Sequence, residues 1–263
     1  IIRTVLNMKP FDVNTEIENS EPNDEYIDNT PQSMSPLFDE AEPLAEKETD
    51  ESAAAIKYYI KWADQYKKAC KLIYGKDAKL NDFKKAEQLL LSESQCGNVL
   101  AVYDLGKLYS TDKLGEKSEE ISIAKYTQAL QGFLQIEPNS KKLKPYVQYR
   151  IGKMFCYGLG TEQNYQKAFE WFERSAKQKN KFAQFSLANL YYYGSGIEKD
   201  LSQAFLWYQR SSSQGQPYAA YSIAQMYRYG EYVTKDNDTA QRYYKQALSG
   251  FLKIESDDMA NDD

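Results

Sequence analysis

"YRIGKMFCYGLG" (149–160) and "FSLANLYYYGSG" (185–196) share a shape more than letters. Each runs aromatic, aliphatic, small residue, apolar pair, then Tyr-Gly and a second Gly. A Gly-x-Gly pair suits two different tasks. It can cradle phosphate with backbone N–H groups, or it can turn the chain sharply between two helices. Which task these glycines perform decides both fold and function class.

Spacing points to the answer. Tyr149, Phe185 and Tyr221 recur at a step of 36, as do Ala168, Ala204 and Ala240. Trp171, Trp207 and Tyr243 keep the same step, and so do Gly158, Gly194 and Gly230. Four independent columns over three copies define an internal repeat. Within one copy, Ile151, Met154 and Phe155 mark the buried stripe of a helix. Gly158 follows the last periodic residue, where a left-handed residue ends a helix. Asn164, matched by Asp200 and Asp236, is of the type that caps a following helix. That second helix is "QKAFEWFERSA" (166–176), in which Ala168 lets two helices approach while Trp171 and Phe172 fill the core. A phosphate loop follows a strand, and no strand pattern precedes these glycines. The third copy, "YGEYVTKD" (229–236), puts Tyr232 in place of the second Gly. A turn tolerates that change better than a ligand loop, so the glycines read as geometry.

The repeat extends upstream. "AEQLLLSESQCGNVLAVYDLGKLY" (86–109) aligns with "AFEWFERSAKQKNKFAQFSLANLY" (168–191). The step from Ala124 to Ala168 is 44, which places an insertion near "EPNSKKLKP" (137–145). "ALQGFLQIE" (129–137) recurs as "ALSGFLKIE" (247–255), and both read as extended second helices. The expected fold class is all-α: an α-α superhelix of about five helical hairpins over 56–254.

Charge divides the chain in the same places. Residues 1–55 carry 14 acidic and 3 basic side chains, 56–254 carry 30 basic and 19 acidic, and 255–263 carry 5 acidic and no basic ones. With Pro22, Pro31, Pro36 and Pro43, the segment before the repeats reads as an acidic, largely disordered linker. Residues 255–263 read as an acidic tail. Inside the linker, "SMSPLFDEAEPL" (33–44) sets Met34, Leu37, Phe38 and Leu44 among acids. That pattern suits either a plain linker or a segment that docks on a basic, aromatic groove. The chain begins at Ile1, and the apolar residues 1–13 read as the end of an upstream domain.

There is no histidine, which removes the commonest general base, the usual triads and most zinc sites. Cys70, Cys96 and Cys156 form no CxxC pair and read as small core residues in a reducing compartment, so a cytoplasmic location is expected. There is neither a charged-then-apolar leader pattern nor an apolar run near membrane-spanning length. The pair Glu170 and Glu173 reads as solvated helix surface. No catalysis, metal, cofactor or membrane contact is expected.

These residues carry a family resemblance. "LANLYYYGSGIEKDLSQAFLWYQRSSSQG" (187–215) resembles the Sel-1-like repeat, and "RIGKMFCYGLGTEQNYQKAFEWFERSAKQKN" (150–180) matches nearly as well. "SIAQMYRYGEYVTKDNDTAQRYYKQALSG" (222–250) departs at the second Gly and has Tyr243 for Trp. The resemblance implies a tetratricopeptide-related α-solenoid whose members mostly act as adaptors between proteins. In context, Tyr-rich repeats behind an acidic linker are also similar to the C-terminal extension of some bacterial mobilisation relaxases. No relaxase motif is present.

The resemblance further implies that the first helix of each hairpin lines the concave face. The columns Arg150/Ser186/Ser222, Lys153/Asn189/Gln225 and Tyr157/Tyr193/Tyr229 fall at i, i+3 and i+7 of that helix, on one face. The candidate partner-binding residues are therefore Arg150, Lys153, Tyr157, Asn189, Tyr192, Tyr193, Gln225, Arg228 and Tyr229. Tyr and Arg are favoured at binding hot spots, whereas the Tyr column beside the glycines also suits a structural role. Three partners compete. One is a protein or peptide held in the groove. Another is nucleic acid, drawn by the basic body, although the lysines are scattered rather than striped. The last is the chain's own segment 33–44.

Overall fold

The 36-residue step becomes a physical repeat because each copy ends and starts its helices with the same local bonds. In the computed structural model, residues 57–260 are described apart from Lys76, with side chains through Ile254. The acidic segment, the 33–44 patch and the 1–13 reading lie outside the described residues.

The described residues form ten α-helices: α1 (Asp64–Tyr74), α2 (Leu80–Gln95), α3 (Val99–Tyr109), α4 (Glu119–Ile136), α5 (Lys144–Tyr157), α6 (Tyr165–Lys177), α7 (Lys181–Tyr193), α8 (Leu201–Ser213), α9 (Pro217–Tyr229) and α10 (Asn237–Ala260). They pack as consecutive hairpins, α1 with α2 through α9 with α10, and each hairpin stacks on the next. The protein is an all-α solenoid. Among the described residues no strand forms, only an isolated parallel bridge between Tyr59 and Asn98.

The first helices of the last three hairpins end alike. Gly158, Gly194 and Gly230 take φ values of 67°, 72° and 75°. Their N–H groups bond back to the carbonyls of Met154, Leu190 and Met226, and the N–H groups of the residues after them reach the same carbonyls at 2.9 to 3.1 Å. The second helices start alike. Asn164 Oδ1 accepts from Lys167 N at 2.8 Å, and Asp200 and Asp236 Oδ1 each accept from two N–H groups at 2.9 to 3.0 Å. The orphan groups at both helix ends are thus satisfied within the turn. The second glycine has a packing reason as well. A Cβ on Gly160 would lie 2.1 Å from Thr127 N, and one on Gly196 would lie 2.7 Å from Tyr165 C. Each turn presses on the backbone of the previous hairpin, while Tyr232 keeps the left-handed φ of 64° with its half-exposed ring against Phe205 at 5.6 Å.

Ala168, Ala204 and Ala240 are buried, as expected for close helix contact. Phe172 is buried, but Trp171 is only partly so, and it lies beneath the Arg174 guanidinium at 4.7 Å. Trp207 and Arg210 repeat that stack at 4.4 Å. The expectation that Trp171 fills the core is therefore corrected: it seals the edge under a cation. The insertion near 137–145 forms two 3-10 turns, Glu137–Asn139 and Lys141–Leu143, before Pro145 opens α5. The packing of α4 on α5 is thinner than at the other hairpin junctions.

Candidate partner-binding face

In the second and third hairpins the first helix meets the second through a glycine that faces an aromatic ring. A Cβ on Gly106 would lie 2.8 Å from the Tyr126 ring, and one on Gly152 would lie 2.6 Å from the Phe172 ring. In the next copies the small residue is Ala188 or Ala224, fully buried, and the ring is Tyr208 or Tyr244. This approach sets the neighbouring column, Lys153/Asn189/Gln225, beside the ring. Tyr208 OH donates to Asn189 Oδ1 at 2.6 Å, and Tyr244 OH donates to Gln225 Oε1 at 2.6 Å. Gln225 Nε2 in turn donates to Tyr221 OH at 2.7 Å. Phe172 has no hydroxyl to satisfy, and its copy holds Lys153. In the last two hairpins the residue of this column answers the hydroxyl of the ring beside it.

Arg150 does not lie open on the ridge. Its guanidinium sits 4.8 Å from the Tyr103 ring centroid and 5.2 Å from that of Tyr146, with Nε donating to Tyr146 OH at 2.8 Å. Arg150 is 4% exposed and Gln225 8%. Both turn inward, because aromatic neighbours offer a buried cation or amide its partners. Tyr193 (40% exposed) and Tyr229 (49% exposed) are the open members. Lys153, Tyr157, Asn189, Tyr192 and Arg228 are half-buried.

The open end of the ridge is a tyrosine cluster. Tyr192 and Tyr193 meet edge to face at 4.9 Å. Tyr192 OH donates to Glu231 Oε2 at 2.5 Å, tying α7 to the turn after α9. Arg228 lies 5.6 Å over the Tyr229 ring. Burial first, then the hydrogen bond and charge of Glu231, push the Tyr192 hydroxyl up. Burial, then Tyr192 and Glu231, do the same to Tyr193. Burial and Tyr244 push Tyr221 up to about 12. All three are neutral phenols at ordinary pH, able to donate hydrogen bonds but not to act as bases.

Reactive chemistry is poorly provided for on this face. Burial pushes the Cys156 thiol up to about 12 in spite of Lys153, which makes it a poor nucleophile. Glu173 pairs with Lys177 at 2.8 Å, one turn along α6. No cluster of three or more His, Cys, Asp or Glu suited to a metal occurs among the described residues. No helix among them is long and apolar enough to cross a membrane.

Three contributors escaped the sequence reading. Trp62, 42% exposed, packs edge-on to Tyr146 at 5.8 Å and extends the aromatic surface past Arg150. Tyr146 itself joins Trp62 to Arg150. Lys107 lies 5.0 Å over the Tyr74 ring and continues the Lys153 column into the second hairpin. That one was legible: "LGKLY" (105–109) matches "IGKMF" (151–155) letter class by letter class. Tyr146 was legible too, since Tyr146, Phe182 and Tyr218 are aromatic at the same step of 36, whereas Trp62 stands ahead of those columns.

The chain spans 64% of a solved Sel1 repeat protein from Oxalobacter formigenes, which covers 63% of this chain at 23% identity and a TM-score of 0.47. It spans 38% of a protective antigen of uropathogenic Escherichia coli strains displaying an SLR fold, with 70% of this chain covered, 25% identity and a TM-score of 0.47. It spans 82% of an immunity protein from Pseudomonas aeruginosa, with 74% covered, 18% identity and a TM-score of 0.45. No curated protein matches the chain. The relaxase-like context gains no support from these matches. The family model of the Sel1 repeat matches residues 48–67, 145–180, 181–216 and 217–250. Over residues 145–250, where the hairpins end, turn and restart by the same bonds at the same step, the chain matches the Sel1 repeat three times in tandem.

Proposed function

We propose that this chain is a non-catalytic scaffold that holds a peptide or helix of a protein partner along the concave face formed by α3, α5, α7 and α9. Sel1 repeat proteins generally serve as protein-interaction scaffolds. The observation that carries the reading is the exposed aromatic ridge, with Tyr193 and Tyr229 at the 36-residue step and Arg228 beside them. Large rigid rings with neutral hydroxyls lose little side-chain entropy on binding and suit a protein surface. Trp62 and Tyr146 continue that surface at the other end.

A photo-crosslinking residue at Tyr193 or Tyr229, compared with one at Leu206 or Gln209 on the outer side of α8, tests this. The expected result is a discrete protein adduct from the ridge positions that survives nuclease and is absent from α8. Equal adducts from both faces would remove the groove. Adducts that vanish with nuclease would move the protein to nucleic-acid binding.

A further inference from the structure

The basic charge of the solenoid is concentrated in its first hairpin. Residues 57–85 carry nine lysines against three aspartates, whereas 86–254 carry 21 basic and 16 acidic side chains. Lys67, Lys68 and Lys71 form a stripe on α1, with Asp64 one turn before them, and Lys84 and Lys85 lie on α2. All five lysines are exposed, while the opposite faces bury Tyr66, Ala69, Cys70 and Ile73 on α1 and Ala86, Leu90 and Ser94 on α2. The lysine faces therefore look away from the stack of described hairpins.

The chain that leads into this hairpin has the opposite charge. "DEAEPLAEKETDE" (39–51) carries seven acidic side chains and one lysine. Its point of entry is fixed: Tyr59 N donates to Gly97 O at 3.0 Å and Val99 N donates to Tyr59 O at 3.0 Å, at the loop that ends α2. Fourteen residues separate Glu42 from Lys57, and a coil of that length would span about 20 Å. That is comparable with the roughly 24 Å length of a 16-residue helix such as α2. Tethered this closely, the two charge patterns meet at an effective concentration on the order of millimolar.

We propose that the acidic segment 39–51 docks in cis on the lysine face of the first hairpin, Lys67, Lys68, Lys71, Lys84 and Lys85. This surface is separate from the tyrosine ridge. The attraction is between exposed groups, so it weakens with salt.

Zero-length carbodiimide coupling of the full 263-residue chain, read by peptide mass spectrometry, tests the proposal. The expected result is amide links from Asp39, Glu40 or Glu42 to Lys67, Lys68, Lys84 or Lys85, lost at high salt and lost in a K67E/K68E/K84E/K85E variant. Should circular dichroism show that charge reversal perturbs the helices, the matching Lys→Gln set serves instead. Links of equal yield to Lys179, Lys235 and Lys245, or none, would overturn the site. In an equal mixture of 15N-labelled and unlabelled chain, links that join the two would overturn cis docking in favour of a second copy.

Discussion

Among single residues, the second turn glycine has the hardest requirement. Gly160 carries a positive φ and has no room for a Cβ beside Thr127 N. Gly215 has φ of 80° and open space around it. Both substitutions to Ala meet the left-handed backbone penalty, but only Gly160→Ala must also displace a neighbouring helix. Urea unfolding is expected to show Gly160→Ala costing about 2 kcal/mol more than Gly215→Ala. Equal costs would mean that the turn relaxes away from α4. A second residue-scale expectation concerns the ring and its acceptor. Tyr208→Phe leaves Asn189 without its donor and should cost about 1 kcal/mol. Adding Asn189→Leu removes the stranded acceptor, so the double variant should lose less than the sum of the single ones.

For the elements, the caps carry a pH dependence. Ser202 and the N–H groups at the start of α8 hold the Asp200 carboxyl below the ordinary carboxylate range, and Thr239 does the same for Asp236. Their folded-state pKa values are lowered relative to the unfolded chain. The stabilisation is therefore complete above the ordinary carboxylate pKa, near 3.9, and is lost as pH falls through the lowered folded values. Thermal melts of the wild-type chain and of Asp200→Asn between pH 6 and pH 2, a range of about four units chosen to bracket that titration, check this. Asn still caps a helix, as Asn164 does, so the variant should lose part of the acid dependence while keeping the helix. An unchanged acid profile would assign the dependence to other carboxylates.

On the scale of the whole molecule, the solenoid has a weak seam. The α4–α5 junction is thinly packed and interrupted by two 3-10 turns. It is bridged by Arg150 on Tyr103 and by Trp62 on Tyr146. In a repeat array each unit stabilises only its neighbours, so a thin interface divides cooperativity. Native-state hydrogen exchange is expected to show α1–α4 and α5–α10 as two units, more separate in Arg150→Ala. One uniform unit in both proteins would contradict this. The result also bears on binding assays: charge reversal at Arg150 would disturb the seam, so Arg228 and Tyr229 are the sounder positions for testing a partner.

The sequence alone determined the repeat, its period, the caps, the turn glycines and the place of the insertion. These rest on local chemistry, in which a left-handed glycine, an Asn or Asp cap and an apolar stripe act within a few residues of one another. Which ridge residues face solvent was decided only by the tertiary structure. Arg150 reads from sequence as an exposed charge, and it is buried because Tyr103 and Tyr146 close over it from two elements. Gln225 and Asn189 read as variable contact positions, and both answer tyrosine hydroxyls 19 residues away in the chain. Trp62 reaches the face from the segment just ahead of α1. Burial and partner choice depend on what other helices bring near, and a period along one helix does not carry that information.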